Sequence, residues 1–323
     1  MKLVRGEFKF DHRFRRRRAG SSSSDRNIAY SGGNPLAAAS SRMNAESPDR
    51  RVITRRGRES SFNWSGAYIT PSDGRMFTEV HGWWRVPRVS RPPGAPVNAA
   101  FDCSVWIGLD GQRRYYDASL PQIGTSHYLA CGESEARTSV WWQWWLRGAK
   151  NLPPVTVPLK VNPGDEVMCS IFVVSPTRVR FIVKNNCTGE LCTPFETDEP
   201  TSYLDLQESG PRVPVLVSGA TAEWIVERPT IWPTETQEPF PCYYELPDYG
   251  TVEFGDCFAV SAPEPRDLYA HVRRGEEERV REESLEGARL INMYTVKQDP
   301  PLTVIVSEAQ RNGDHGVRTS YRT

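Results

Sequence analysis

Between Phe62 and the C-terminus, short apolar runs alternate with turns rich in glycine and proline, at intervals too brief for helices. That spacing constrains the fold more than any other feature. The stretch GAYITPSDGRMFTEVHGWWRVP reads as a strand, a Pro-Ser-Asp-Gly turn and a second strand ending at Pro87. FDCSVWIGLDG closes a strand on Asp-Gly, and QRRYYDASLPQIG supplies the next. VTVPLKVNPGDEVMCSIFVVSPTRVRFIVKNN holds three strands divided by Asn-Pro-Gly-Asp and Ser-Pro-Thr turns. PVLVSGATAEWIVERP, YGTVEFGDCFAV, GARLINMYTV and LTVIVSEA continue in kind. Strands about 8–12 residues apart with this punctuation predict an all-β sandwich or barrel. The exception is EPRDLYAHVRRGEEERVREESLEG, whose charge spacing predicts a short helical insertion.

Charge divides the chain in two. The 323 residues carry 40 Lys/Arg and 40 Asp/Glu, a net charge of zero. Residues 1–58 alone hold 15 basic and 5 acidic residues, leaving 25 basic and 35 acidic for the rest. The Arg-rich segment, with RFRRRRAGSSSSD in it, has too few apolar residues to build a core, so residues 1–60 are expected to be a disordered basic tail, or a propeptide remnant. Residues 61–323 are then one acidic β domain, for which no nucleic-acid partner is expected. No apolar run approaches the ~20 residues of a membrane span. A secretory signal would show about 7–15 apolar residues after the positive charges, and none follows. The seven cysteines leave at least one outside any internal pair, and CTGELC has the spacing to close a small loop between Cys187 and Cys192.

The stretch SVWWQWWLRG places four tryptophans around one glutamine. Aromatic residues favour strands, and a strand turns Trp141, Gln143 and Trp145 to one side and Trp142 and Trp144 to the other. The first set makes an aromatic face with an amide in its middle, which suits a lined groove. The second set points into a core.

Common catalytic signatures are missing from the chain: it has no His-Glu-x-x-His, no Gly-x-Ser-x-Gly and no phosphate-cradling glycine loop. With five histidines, a His-dependent triad is not expected, and His127 reads as a partly exposed loop or strand-end residue. No metal or cofactor is expected. In TAEWIVERP, strand alternation puts Glu223, Ile225 and Glu227 on one face. An acid on a strand ordinarily faces solvent. Glu223 and Glu227 are about 13 Å apart along a strand, which exceeds the ~5–9.5 Å separation of a glycosidase pair.

The motifs in order, NWSGAY (63–68), WRVP (84–87), WIGLDG (106–111), PQIGT (121–125), WWQWW (141–145), AEWIVERP (222–229) and LPDYGTVEF (246–254), resemble the glutamic peptidase, or eqolisin, family. The resemblance covers roughly residues 62–323 and leaves the tail outside. It implies a β-sandwich of two curved antiparallel sheets, with catalysis on the concave face, acting as a secreted acid endopeptidase on polypeptides. It implies Gln122 and Glu227 as the catalytic pair, and Trp64, Trp106, Asp110, Gly124, Trp141, Gln143 and Trp145 as groove positions. The family usually carries Glu where this chain has Gln143, and Gln143 is expected to share a face with Glu227. The chemistry suits those residue types. A carboxyl can exchange protons with water and the leaving nitrogen, and an amide N–H can hold an oxyanion without titrating. A monomer is expected. The alternative is a non-catalytic module in which the same groove binds carbohydrate or peptide; the presence of both Gln122 and Glu227 favours the enzyme.

Overall fold

The computed structural model describes residues 58–72, 74–112, 119–145, 153–175, 177–198, 217–231, 243–263, 280–297 and 302–322. Their regular structure is almost entirely strand. In chain order the strands are β1 (Arg58–Ser61), β2 (Trp64–Ile69), β3 (Arg75–Arg85), β4 (Phe101–Leu109), β5 (Leu120–Leu129), β6 (Arg137–Trp145), β7 (Val155–Val157) and β8 (Glu166–Ser175). They continue with β9 (Arg178–Asn185), β10 (Leu191–Asp198), β11 (Ala222–Glu227), β12 (Thr251–Pro263), β13 (Arg281–Glu283), β14 (Arg289–Lys297), β15 (Leu302–Arg311) and β16 (Val317–Tyr321).

One hydrogen-bonded path runs β10-β9-β8-β3-β12-β16-β15-β14-β2-β11-β4-β5-β6-β7. It folds back on itself, so that a rear layer around β9, β8, β3 and β12 faces a front layer of β2, β11, β4, β5 and β6. Side chains cross between the layers: the Trp84 indole on β3 donates to Thr125 Oγ1 on β5 at 3.1 Å, and the Trp142 ring on β6 lies 5.3 Å from that of Phe181 on β9. The sandwich is as expected, but its two sheets are joined along one edge through β16, β15 and β14. β1 adds to β14 in parallel.

Burial patterns separate the layers. In β9 and β12, buried positions alternate with more exposed ones, the mark of a sheet with one wet face. In β2 all six residues are buried, and β4 is nearly so. The reason is a second apolar cluster on the outer side of the front sheet, formed by Trp64, Tyr68, Trp106, Leu120, Trp141, Ile225 and Ile291.

Three details differ from the sequence reading. The expected helical insertion lies mostly outside the described residues, and its end is strand β13, paired to β12, followed by one 3-10 turn at Leu285–Gly287. There the edge of β12 offers ladder partners, which win over local helical charge pairs. Cys187 and Cys192 are free thiols; Cys187 instead sits in a turn capped by Asn185 Oδ1. Of the expected tail, residues 58–60 belong to β1 and residues 1–57 lie outside the described set.

Candidate active site

Antiparallel register builds the outer face of the front sheet in rows, because residues directly opposite each other point the same way. One row runs Tyr68, Glu223, Gly108, Gln122, Gln143. The next is Gly66, Ile225, Trp106, Gly124, Trp141. The third is Trp64, Glu227, Ser104, Ser126, Ser139. Five strands, β2, β4, β5, β6 and β11, thereby place Gln122, Gln143, Trp106, Trp141, Trp64 and Glu227 on one floor.

Glu227 closes β11 at the end of its row. Asn63 Nδ2 donates to its Oε1 at 2.9 Å and Trp106 Nε1 to its Oε2 at 2.9 Å. Burial raises its pKa from the ordinary 4.5 to about 7; the Trp64, Trp106 and Asn63 donors pull it down, and Asp102 adds to the rise. The Trp64 N–H pulls in this direction although it falls short of hydrogen-bond geometry. Burial wins, so the group is a neutral acid through the acid range.

The glutamine pair occupies the row two positions away. Gln122 Nε2 donates to Gln143 Oε1 at 3.0 Å, which uses one of its two N–H groups. Trp106 links the two halves of the floor. Its pyrrole edge bonds Glu227, and its Cζ3 lies 2.9 Å from where a Cβ on Gly108 would stand, beside the row of Gln122. Any side chain at 108 would displace the ring. Gly124 is equally constrained, since a Cβ there would lie 2.2 Å from Val105 O and 2.5 Å from Trp106 Cβ. No hydrogen bond joins Gln122 to Glu227; β4 separates their strands and the Trp106 indole lies between their rows.

The remaining expected positions divide. Trp141 is buried in the outer cluster and Trp145 packs against it, while Trp144 enters the core and Trp142 packs on it. Asp110 is fully buried at a positive φ of 67° and accepts from Ser218 N, Ser218 Oγ and Ala220 N at 2.6–2.8 Å. That pattern pins the β4 turn to the segment before β11. Its pKa rises to about 6 because burial outweighs those bonds. Gln143 shares the face of Glu227 but stands three strands from it.

Several residues were missed or misjudged. Glu223 does not face solvent; it is fully buried, and burial first, then the charge of Asp110, pushes its pKa well up. Asp102 and Ser104 share the β4 face with Trp106, a placement the alternation of FDCSVWIG already implied. Asn63 opens the NWSGAY motif yet had no assigned partner. His127 is fully buried in β5 and not at a strand end. It sits on the core side between Thr125 Oγ1 and Thr138 Oγ1, at 3.0 and 3.3 Å. Burial lowers its pKa to about 3.

A Ser170–His81–Glu79 chain lies on the outer face of the rear sheet, with contacts of 2.9 and 3.0 Å. It has the order of a nucleophilic triad but sits mid-strand. β8 is paired on both sides, so the surrounding N–H groups are committed to the ladder and none is left for an oxyanion. Among the described residues, no group of three or more His, Cys, Asp or Glu is arranged to hold a metal.

The β-sandwich thus carries a carboxyl, that of Glu227, and a carboxamide, that of Gln122, on one aromatic floor. The model of the Peptidase A4 family matches residues 62–270, more than half of the chain, and the chain belongs to that family of glutamic endopeptidases. Among solved structures, scytalido-glutamic peptidase with a transition state analog inhibitor is similar at 19% identity and a TM-score of 0.54, over 80% of this chain and 98% of that one. SCP-B, a member of the eqolisin family in a complex with the tripeptide Ala-Ile-His, is similar at 18% identity with the same TM-score and coverage. At these identities the likeness concerns the fold. No curated protein sequence matches the chain.

Proposed function

We propose that this groove hydrolyses peptide bonds of polypeptides in acid, with Glu227 exchanging protons and Gln122 donating to the oxyanion. One observation carries the reading. A half-buried glutamate, fixed by Asn63 and Trp106, shares its floor with unmatched hydrogen-bonding groups: Gln122 Oε1 and Trp141 Nε1 have no partner among the described residues. Buried polar atoms are nearly always paired. A peptide, with a donor and an acceptor at each residue, supplies what these groups lack.

In acid, Glu227 starts protonated. One carboxyl oxygen accepts a proton from the attacking water while the other gives its proton to the substrate. The water oxygen bonds to the carbonyl carbon, and the C=O pair moves onto oxygen, where the second Gln122 N–H holds it. The tetrahedral carbon then bears two hydroxyls, one from the water and one from the protonated carbonyl oxygen. Glu227 gives its proton to the nitrogen and takes one from a hydroxyl as C=O re-forms. The C–N pair leaves with nitrogen, and Glu227 ends as it began. The carboxamide keeps its donors at any acidic pH.

Glu227→Gln is expected to reduce kcat by about 10²–10⁴-fold and Gln122→Ala by about 10²–10³-fold, in folded proteins. Product mass spectrometry on an unfolded protein substrate across acid to neutral pH reads both. Wild-type turnover in either folded variant sinks the assignment; unimpaired peptide binding by an inactive wild-type chain points to the binding module instead.

A further inference from the structure

We propose that Asp102 is a second acid of this site, a positioning residue that acts through Glu227 by setting the pH range in which Glu227 keeps its proton. The inference rests on the reading of Glu227 as the proton-exchanging group. Its basis is placement. Glu227 lies directly opposite Ser104 on β4, and Asp102 is the next residue of β4 on that face. The two acids are therefore diagonal neighbours on adjacent strands, about 7–8 Å apart at the backbone. Position 143, on β6, is three strands from Glu227, so the floor residue that can act on Glu227 as an acidic neighbour is at 102.

Among the described residues, no cation pairs with Asp102. From β5, Ser126 Oγ donates to its Oδ1 at 3.2 Å, and Tyr128 stands opposite it in register. His127, also on β5, points to the core and is neutral. From the segment at 243–250, Glu245 O accepts the Asp102 N–H at 3.1 Å, and Tyr244 packs on Tyr128. Tyr243 lies on the Glu227 side, and the neighbouring cations are engaged elsewhere. Arg228 covers the Tyr243 ring and donates to Phe62 O, while Arg137 pairs with Glu133. Among the described residues, neither Asp102 nor Glu227 takes part in an ion pair.

Two acids so placed cannot ionise independently. Burial raises Asp102 to about 7, the same region as Glu227, and its charge adds to the rise of Glu227. As pH climbs, ionised Asp102 disfavours a second negative charge beside it and holds the proton on Glu227. The acid form of Glu227 then persists further toward neutrality than burial alone would allow.

The test uses the full chain and its Asp102→Asn variant. The pH dependence of kcat/KM on an unfolded protein is measured beside the carboxyl carbon-13 titration of Glu227. Both the alkaline limb and the Glu227 titration are expected to move down by about one pH unit, the size Coulomb's law allows for unit charges ~8 Å apart at an effective dielectric of ~30. Ser126→Ala, which removes the donor to Asp102 and perturbs packing little, is expected to move both the same way by less. A Glu227 titration unmoved in both variants overturns the proposal. So does complete inactivity of folded Asp102→Asn at every pH, which would place Asp102 in the chemistry itself. Full turnover by Glu227→Gln would instead remove the Glu227 reading, so the two failures are told apart.

Discussion

Two sets of tryptophans lie on opposite sides of the front sheet, and their indole N–H groups fare differently on each. Between the layers, Trp84 donates to Thr125, Trp144 to Ser119 Oγ at 2.8 Å and Trp224 to the His81 carbonyl at 2.8 Å. On the outer face of the front sheet, Trp106 donates to Glu227 and the Trp64 N–H acts on the same carboxyl without full hydrogen-bond geometry, but Trp141 donates to nothing among the described residues. Both sets are almost wholly buried. A core that serves only stability satisfies its donors, since an unmet one costs about 1–3 kcal/mol. The outer face leaves the Trp141 N–H unmet among the described residues, on the floor that holds Glu227, which supports the proposed peptide site.

Substitution can break that contrast. Trp224→Phe strands the His81 carbonyl and opens a cavity between the layers, and is expected to cost about 2–4 kcal/mol in urea unfolding. Trp141→Phe removes a donor that bonds nothing, so stability should change by less than about 1 kcal/mol while KM for polypeptide rises. Equal stability losses for the two would mean that the outer face is core after all.

The faces also titrate in opposite senses. Glu227, Asp102, Asp110 and Glu223 all have folded pKa values raised by burial above the unfolded ones. The folded state therefore binds more protons, and stability present below pH ~4 falls as pH rises through about 7. His127 works against this, since its value is lowered to about 3 and its contribution fades as pH falls from about 6.5. Four carboxyls outweigh one imidazole, so the urea midpoint should drop between pH 4 and 7.5. Glu227→Gln should flatten the drop. A midpoint that rises over that range would contradict the raised carboxyls.

The smallest effect is expected at Gln143→Glu. The new acid would meet Gln122 directly and Glu227 only across three strands. The alkaline limb should shift upward by less than about half a unit, well short of the shift from Asp102→Asn. A larger shift at 143 than at 102 would reverse the assignment of the acidic neighbour.

Much of this was legible residue by residue. Gly/Pro punctuation marked the strands, and period-two alternation correctly sorted Trp141, Gln143 and Trp145 from Trp142 and Trp144. It also put Glu223 and Glu227 on one face. Alternation could not say which face was wet, so Glu223 and His127 were expected nearer to solvent than they are. Spacing alone suggested a Cys187–Cys192 loop that the turn at Asn185 does not close.

The chain's own pattern determined strand identity, face assignment and the family motifs, because these depend on neighbours within a few residues. Only the tertiary structure decided that β11 lies between β2 and β4. That adjacency carries Asn63 and Trp106 onto Glu227 and places Asp102 diagonally from it, while the register of β5 on β6 sets Gln122 against Gln143. Such pairings join residues from about 20 to more than 160 positions apart. They depend on strand order and register, which no local period encodes, and burial by the assembled sheet is what moves the acids from their ordinary pKa values.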